Sequence, residues 1–243
     1  MKQNILKGAL ALSSIALVIG CGGSGGRSDS PVASTELPLE VQAAIDAPVS
    51  VLSEELVNTL SYMGNEERLA YDVYNYLYNQ FGTKQFTNIA TKGEYKHITV
   101  VQKLVQKYKL NDNIDFTNVD LPTLGYINTP IEEMEAGKYD ISAIQNLYDD
   151  LTAQGSNSEI DALNVGCIIE VVDVTDLDRD IAIAENENAT DIVTVFNFLR
   201  DGSYSHYWAF DKGLKNKGVS DGCCSLGTTY CHPEYPENEK GKN

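Results

Sequence analysis

The chain has 243 residues, of which 35 are acidic and 18 are basic, so its formal net charge is −17. A surface this acidic repels nucleic acid and anionic lipid headgroups, and it tolerates or attracts cations. No glycine-rich phosphate loop, nucleophile elbow or sustained basic patch is present. The composition therefore argues against a nucleic-acid-binding protein and leaves a single globular domain with a sizeable core as the expectation.

The first twenty residues have the form of an export signal. Two lysines precede an apolar stretch from Ala9 to Ile19, which is too short to span a bilayer as a mature helix. The run Leu17-Val-Ile-Gly-Cys21 resembles a bacterial lipobox, which implies cleavage before Cys21 and lipid on its sulfur. We therefore expect a lipoprotein anchored in the cell envelope, at the outer membrane or periplasmic face of a Gram-negative source. An ordinary secretory signal with an incidental cysteine is the alternative.

Composition divides the remaining chain into three parts. Residues 21–50 are rich in Gly, Ser, Pro and Ala, which predicts a flexible tether. Residues 51–213 carry the apolar periodicity of a helical domain. Residues 214–243 form a tail that holds three of the five cysteines.

The first long helix is predicted from Ser53 to Phe81, with Ser53 as its N-cap and Gly82 as its stop. Its apolar residues recur at alternating spacings of four and three, which is typical of a helix in a bundle. Glu67 interrupts this stripe at mid-length, and a buried carboxylate must be protonated, paired or bound to a metal. Glu66, on a more polar row, is the competing candidate.

The second long helix is predicted from Gln85 to Tyr108, with Glu94 and His97 at the middle of its stripe. A Glu-x-x-His pair places a carboxylate and an imidazole on one helical face, as carboxylate-bridged metal sites require. Residues 111–139 have little periodicity and predict a long crossover along the side of the bundle. Residues 141–151 predict a short extra helix that ends at Gly155.

Two more long helices complete the pattern. The third begins near Ser158 and carries Glu170 on its stripe, with Asp173 one turn further along. The fourth runs from about residue 189 to residue 210 and carries His206, one of three histidines in the chain. Each long helix thus places a metal-competent side chain at mid-length. We interpret this coincidence as one shared site in which His97 and His206 approach one another; separate, satisfied polar residues in the core are the alternative.

Four motifs between residues 51 and 213 support a family resemblance. They are Asn65-Glu-Glu-Arg-Leu-Ala-Tyr-Asp-Val-Tyr74, Glu94-x-x-His97, Gly166-Cys-Ile-Ile-Glu-Val-Val-Asp173 and Gly202-Ser-Tyr-Ser-His206. The sequence resembles the ferritin-like superfamily of four-helix di-iron proteins, in particular its rubrerythrin-like members. It is most similar to a bacterial and archaeal group of such domains whose function is not established. The resemblance implies an all-α, ferritin-like four-helix bundle with a long crossover between helices 2 and 3.

The superfamily pattern supplies one Glu from each of two helices and a Glu-x-x-His pair from each of the other two. Ser203 departs from this pattern, because it stands where the last glutamate belongs, and Asp173 on the neighbouring helix is the candidate for the missing oxygen. We expect Glu94 and Glu170 to bridge two ions roughly 3.5–4 Å apart. The expected metal ligands are Glu67, Glu94, His97, Glu170, Asp173 and His206.

Carboxylate and imidazole ligands suit iron, with manganese as the alternative. By resemblance, the expected partners are these metal ions and O₂ or peroxide, and the expected chemistry is Fe(II) oxidation or peroxide reduction. A non-catalytic metal-scavenging or sensing lipoprotein is the rival interpretation, and a structural bundle with a decayed site is a third. A homodimer stays an open alternative.

The cysteine-rich tail is the second concentration of chemistry. Cys223, Cys224 and Cys231 lie close to His232, a combination that suits a soft metal such as Zn or Cu(I). For an exported protein the favoured interpretation is a disulfide between Cys223 or Cys224 and Cys231. The remaining thiol is then free or paired with Cys167, and the pairing cannot be decided from spacing.

Overall fold

The computed structural model describes residues 36–108, 120–127 and 129–237, and in this part of the chain it contains helices and turns but no strand. The predicted all-α class is confirmed for these residues. The expected signal peptide, the lipid-attachment site Cys21 and the first half of the predicted tether lie outside them. None of the helices described is long and apolar enough to cross a membrane.

Four long helical segments form the body of the fold. The first segment is α2 (Glu54–Phe81), and the second is the pair α3 (Lys84–Ile89) and α4 (Tyr95–Tyr108). The third segment is α6 (Glu159–Asn186), and the fourth is α7 (Thr190–Asn216). Helix α2 packs on α4 and α6, and α7 also packs on α4 and α6, so the four segments enclose one interior. The α-helices are α1 (Leu39–Asp46), α2 (Glu54–Phe81), α3 (Lys84–Ile89), α4 (Tyr95–Tyr108), α5 (Ser142–Gly155), α6 (Glu159–Asn186) and α7 (Thr190–Asn216); a π-helical turn covers Ala90–Glu94, and 3-10 turns cover Ile131–Glu133, Gly222–Leu226 and Thr228–Tyr230.

Capping interactions explain where the long helices begin and end. The Ser53 hydroxyl accepts the Leu56 N–H at 3.1 Å, and Gly82 ends α2 in the left-handed conformation, at φ 70°. The Ser158 hydroxyl accepts the Asp161 N–H at 3.1 Å and starts α6 in the same way. These predicted boundaries are confirmed, as is the short helix that ends at Gly155.

One expectation about the chain's course is wrong. The predicted flexible tether includes helix α1, which packs on α7 and buries Val41 completely. Local composition indicated a tether here, and burial of a few apolar residues overrides it. The third long helix continues to Asn186, and Leu177, Ile181 and Ala184 keep its apolar stripe buried.

Apolar side chains form two clusters along the long segments. One cluster is built around residues 69–77, 86–90, 162–171 and 207–214, and the other around residues 56–63, 98–105, 177–184 and 189–199. On the first, second and fourth segments, the polar residues predicted at mid-length fall between these two stretches. On α6, Glu170 lies at the end of the first stretch and Asp173 just after it. The predicted stripes are buried along most of their length; Ile160, which is 38% exposed, is an exception.

The described part of the crossover is anchored to α2 by Arg68 and Asp72, which form a buried ion pair on that helix. The Arg68 guanidinium donates to the Lys138 carbonyl at 3.1 Å and lies 4.9 Å from the ring centre of Tyr139. Asp72, one turn further along α2, accepts the Gly137 N–H at 2.9 Å and the Tyr139 hydroxyl at 2.8 Å. The crossover therefore meets the fold through charged and aromatic groups that are hydrogen-bonded inside it.

Two disulfides tie the tail to the helices. One joins Cys167 of α6 to Cys223, and the other joins Cys224 to Cys231. All four sulfur atoms are therefore committed, which leaves no thiolate for the soft-metal alternative. His232 stacks on the ring of Tyr235, with 4.5 Å between ring centroids.

We expect the two disulfides to contribute unequally to stability, because a cross-link stabilises more when it closes a longer loop. The sequence separations are 56 and 7 residues. Replacing Cys167 and Cys223 together by Ala should lower the free energy of unfolding by about 4 kcal/mol, against about 2.5 kcal/mol for Cys224 and Cys231. Urea unfolding under non-reducing conditions measures both. Equal losses in the two double variants would contradict the loop-length argument.

Candidate metal centre

Five buried side chains from all four long segments meet in the interior at mid-length. The π-helical turn ends at Glu94, so the Glu94–His97 pair spans the junction between that turn and α4. Single π turns inside α-helices are found often at functional sites. The residues that meet are Glu67 of α2, Glu94, His97 of α4, Glu170 of α6 and His206 of α7.

Two carboxylate–histidine triads share Glu94. In the first, the His97 Nδ1 atom lies 3.0 Å from Glu67 Oε2 and 3.2 Å from Glu94 Oε2. In the second, the His206 Nδ1 atom lies 2.9 Å from Glu94 Oε1 and 3.4 Å from Glu170 Oε2. The two oxygens of Glu94 thus face different imidazoles. The expected approach of His97 and His206 is confirmed, with 5.5 Å between ring centroids.

The geometry of these triads fits a bound cation. Within each triad the potential ligand atoms all lie within 4.8 Å of one another. The His206 Nδ1 atom is close to Glu94 but is not aligned with it as a hydrogen bond, and Glu67 Oε1 has no hydrogen-bond partner. Buried polar atoms are normally hydrogen-bonded, so converging atoms without such bonds indicate that a ligand completes the site.

Electrostatics in the metal-free cluster favour protonated imidazoles. Burial raises the pKa of Glu67 well above its usual value, and it also raises the pKa of Glu170. Burial acts in the same direction on Glu94, but the two neighbouring histidines outweigh it and lower the pKa of this carboxyl. Burial opposes charge on the histidines, yet the carboxylates raise the pKa of His97 well above normal and that of His206 to about 10. A bound cation would take the place of these protons.

Asp173 lies beside the triads but belongs to neither. It is partly exposed, and its Oδ2 atom accepts the hydroxyl of Ser203 at 2.5 Å. Burial raises the pKa of Asp173 to about 7. The serine that replaces the expected glutamate is therefore joined directly to the carboxylate that was expected to substitute for it.

Glu66 and Glu67 have different positions. Glu67 belongs to the first triad, whereas Glu66 does not, although both line a cavity next to the cluster. Burial raises the pKa of Glu66 well above normal, and the carboxylates of Asp173 and Asp176 add to the effect. The stripe position of Glu67 on α2 predicted this difference.

Tyr74 is a functional candidate that the ligand prediction missed. Its buried hydroxyl donates to Glu170 Oε1 at 2.5 Å, which orients the carboxylate while the other oxygen faces His206. Tyr74 lies on the predicted stripe of α2, two helical turns after Glu67. A tyrosine on an apolar stripe buries its hydroxyl, which then needs a hydrogen-bond partner, and this signal could have identified Tyr74.

A repeated motif, Gly-x-Tyr-x-His, forms part of the site's wall. It occurs as Gly93-Glu-Tyr-Lys-His97 and as Gly202-Ser-Tyr-Ser-His206. A Cβ atom on Gly93 would overlap the Nε2 atom of His206, and one on Gly202 would overlap the Nε2 atom of His97. Each imidazole therefore packs against the glycine of the other motif, which leaves its Nδ1 atom facing the carboxylates. The shared spacing is visible in the sequence, but the exchange of partners is not.

The fold and the site together define an all-helical protein with a buried carboxylate–histidine cluster. The chain belongs to the family described as an uncharacterized protein domain (DUF2202), which matches residues 57–124 and 120–228. It is 35% identical over 171 residues to uncharacterized protein MJ0754 of Methanocaldococcus jannaschii, which covers 70% of this chain and 81% of that protein.

A solved structure is similar as well. The crystal structure of hypothetical protein MJ0754 from Methanococcus jannaschii aligns with a TM-score of 0.59 and 33% identity, over 71% of this chain and 86% of that chain. These matches name neither a ferritin-like nor a rubrerythrin-like family, so membership of the DUF2202 family is what the comparisons show.

We expect the chelator-treated protein to lose stability as the pH rises. Asp173 has a pKa of about 7 in the fold against 3.8 ordinarily, so the folded state binds more protons and stability falls between these pH values. His206 stabilises fully below 6.5 and loses that contribution as the pH rises through about 10. Asp173→Asn should flatten the dependence from about pH 4 to about pH 7, and urea unfolding across this window measures it. The exposed carboxylate of α7, changed in Asp201→Asn, is the control; equal slopes in the two variants would be inconsistent with this account.

Proposed function

We propose that the four long segments form a ferritin-like four-helix bundle that holds a dinuclear non-haem iron centre, with manganese as the alternative metal. The observation that carries the proposal is the position of Glu94, whose two oxygens face two different histidines. A carboxylate shared in this way is the usual means of holding two ions close together in a helix bundle. Oxygen and imidazole donors suit iron and manganese, and the carboxylates balance the charge of the cations.

The chain's residues divide between the two halves of the proposed centre. Glu67 and His97 would hold one ion, Glu170 and His206 the other, and Glu94 both. Glu170 remains the second expected bridge, although in the structure it faces one histidine, His206, and its other oxygen accepts the Tyr74 hydroxyl. When bound, two iron ions supply one-electron redox chemistry towards O₂ or peroxide.

Other residues would position the ligands and exclude water. Tyr74 fixes one oxygen of Glu170 by its hydrogen bond, and Phe198 lies edge-on to His97 with 5.6 Å between ring centroids. Hydrogen bonds and packing around the ligands fix their orientation and tune the metal, so such residues affect binding although they touch no ion. Asp173 would complete the oxygen donors from the side where Ser203 offers only a hydroxyl.

We further propose that the protein is exported and lipid-anchored through Cys21 in the cell envelope, and that it acts as an oxidoreductase of the ferroxidase or peroxidase type. The acidic composition supports a protein that receives cations. Ser203 favours a second candidate, a metal-binding or scavenging lipoprotein without catalysis. With a serine at this position, the second triad has one carboxylate fewer than the superfamily pattern supplies.

Metal stoichiometry tests the shared-ligand arrangement. Glu94→Gln should remove both ions, because it removes the charged oxygen that each ion would share with its histidine. Glu67→Gln should remove mainly one ion. Glu66→Gln, at the adjacent position outside the triads, is the matched control and should retain the wild-type metal content. Elemental analysis of the purified proteins, with circular dichroism to confirm helical content, gives the result. A Glu66 variant that loses metal while the Glu67 variant retains it would refute the ligand assignment.

Oxidation of Fe(II) in air separates the catalytic candidate from the scavenging one. Wild-type protein should oxidise many equivalents of added Fe(II) faster than buffer does. Asp173→Ala should lower the bound metal from two ions towards one and suppress the oxidation, and His97→Ala should damage the site in the same way. If the wild type binds iron but oxidises no more than it binds, the scavenging function is the correct one. If Asp173→Ala changes neither quantity, Asp173 is not part of the centre.

A further inference from the structure

A small cavity extends from the carboxylate cluster towards the surface between α2, α5 and α6. Its volume is about 70 Å³, and Glu67, Glu94 and Glu170 line its inner end. At the outer end lie Leu147 of α5, which is 38% exposed, and Val172 of α6, which is 42% exposed. The short extra helix α5 thus covers the one face of the cluster that this cavity reaches.

The walls between the two ends are apolar. Leu69 and Ala70 of α2, Leu151 of α5 and Ile169 of α6 line the cavity, and carboxylates at its inner end and along its edge are the polar groups among its lining. A hydrated ion passing between these walls would lose water contacts without gaining others, which is costly. An apolar molecule loses nothing, and apolar cavities in proteins stay dry and take up apolar guests.

The volume limits the size of the guest. A cavity of about 150 Å³ holds benzene or xenon, and one water occupies about 30 Å³ of liquid. A cavity of about 70 Å³ has less than half the volume of one that holds benzene, so it favours a guest of a few heavy atoms over an aromatic ring. Hydrogen peroxide has this size, but its hydroxyl groups would find hydrogen-bond acceptors only at the carboxylates of the inner end and the edge, and none along the apolar walls.

We propose that this cavity binds a small apolar molecule, with dioxygen as its ligand, and leads it to the carboxylate cluster. The cavity's preference for an apolar guest stands on its shape and lining; the delivery of dioxygen to a metal pair rests on the function proposed above. Val172 and Leu147 control access from the surface.

Xenon, an apolar atom, is the probe for this cavity. Crystals of the full-length chain, pressurised with xenon after chelator treatment, should show xenon between Ala70, Leu151 and Ile169. Val172→Trp should abolish this peak by closing the outer end. Ile160→Trp, at an apolar position of α6 that is about as exposed but does not line the cavity, should keep it. Should Val172→Trp fail to fold, Leu147→Trp closes the same end from α5. Absence of xenon in the wild type, or ordered water in its place, would overturn the proposal.

Kinetics on iron-loaded protein provide the second readout. Val172→Trp should raise the KM for dioxygen several-fold in Fe(II) oxidation and leave kcat at saturating dioxygen unchanged, while Ile160→Trp changes neither. An unchanged KM in Val172→Trp would show that dioxygen enters elsewhere and would overturn the delivery step. The two proposals fail separately. A wild-type protein whose cavity binds xenon but which holds no metal in elemental analysis before chelator treatment refutes the metal centre alone. A wild-type protein that holds metal in that analysis but whose cavity excludes xenon refutes the cavity alone.

Discussion

Burial of three glutamates around two histidines is the constraint on which the rest of this structure depends. An isolated buried charge costs several kcal/mol, and Glu67, Glu94 and Glu170 are almost completely buried. The imidazoles offset part of that charge, and each triad is arranged around one Nδ1 atom. The site is therefore stable only when protons or cations balance the negative charge of the carboxylates. The surrounding fold must also hold these like charges close together.

The two apolar clusters provide that holding force. They lie on either side of the cluster along the long segments, so each helix is fixed by packing above and below the residue that it contributes to the cluster. Peripheral features strengthen the same frame: the Cys167–Cys223 disulfide joins the tail to α6 one turn before Glu170, and Arg68 joins the crossover to α2 one residue after Glu67. Packing is distributed over the whole length of the fold, whereas the chemistry is confined to its middle.

Much of this arrangement could be predicted from the periodic spacing of apolar residues in the sequence. Apolar spacing and the caps Ser53 and Ser158 define the long helices, and polar residues that interrupt buried stripes define the site. Periodicity carries no information about a π turn, which changes the backbone hydrogen bonds while the residues remain helical, nor about which oxygen faces which nitrogen. Helix α1 was missed because two buried residues, Val41 and Ala44, are too few to mark a stripe. The disulfide pairing could not be predicted, because it depends on where the tail packs against α6 and so on which tail cysteine lies beside Cys167.

Each histidine of the cluster packs against the glycine of the other motif, and this arrangement has a consequence for how the site can evolve. Gly93 receives the imidazole of His206, and Gly202 receives that of His97, so neither motif is complete without the other. A larger residue in one motif displaces the histidine of its counterpart rather than its own. Divergence in the two halves is thus interdependent: relatives that alter one glycine are expected to have altered the opposite histidine as well. The two histidines would then be retained or lost together rather than singly.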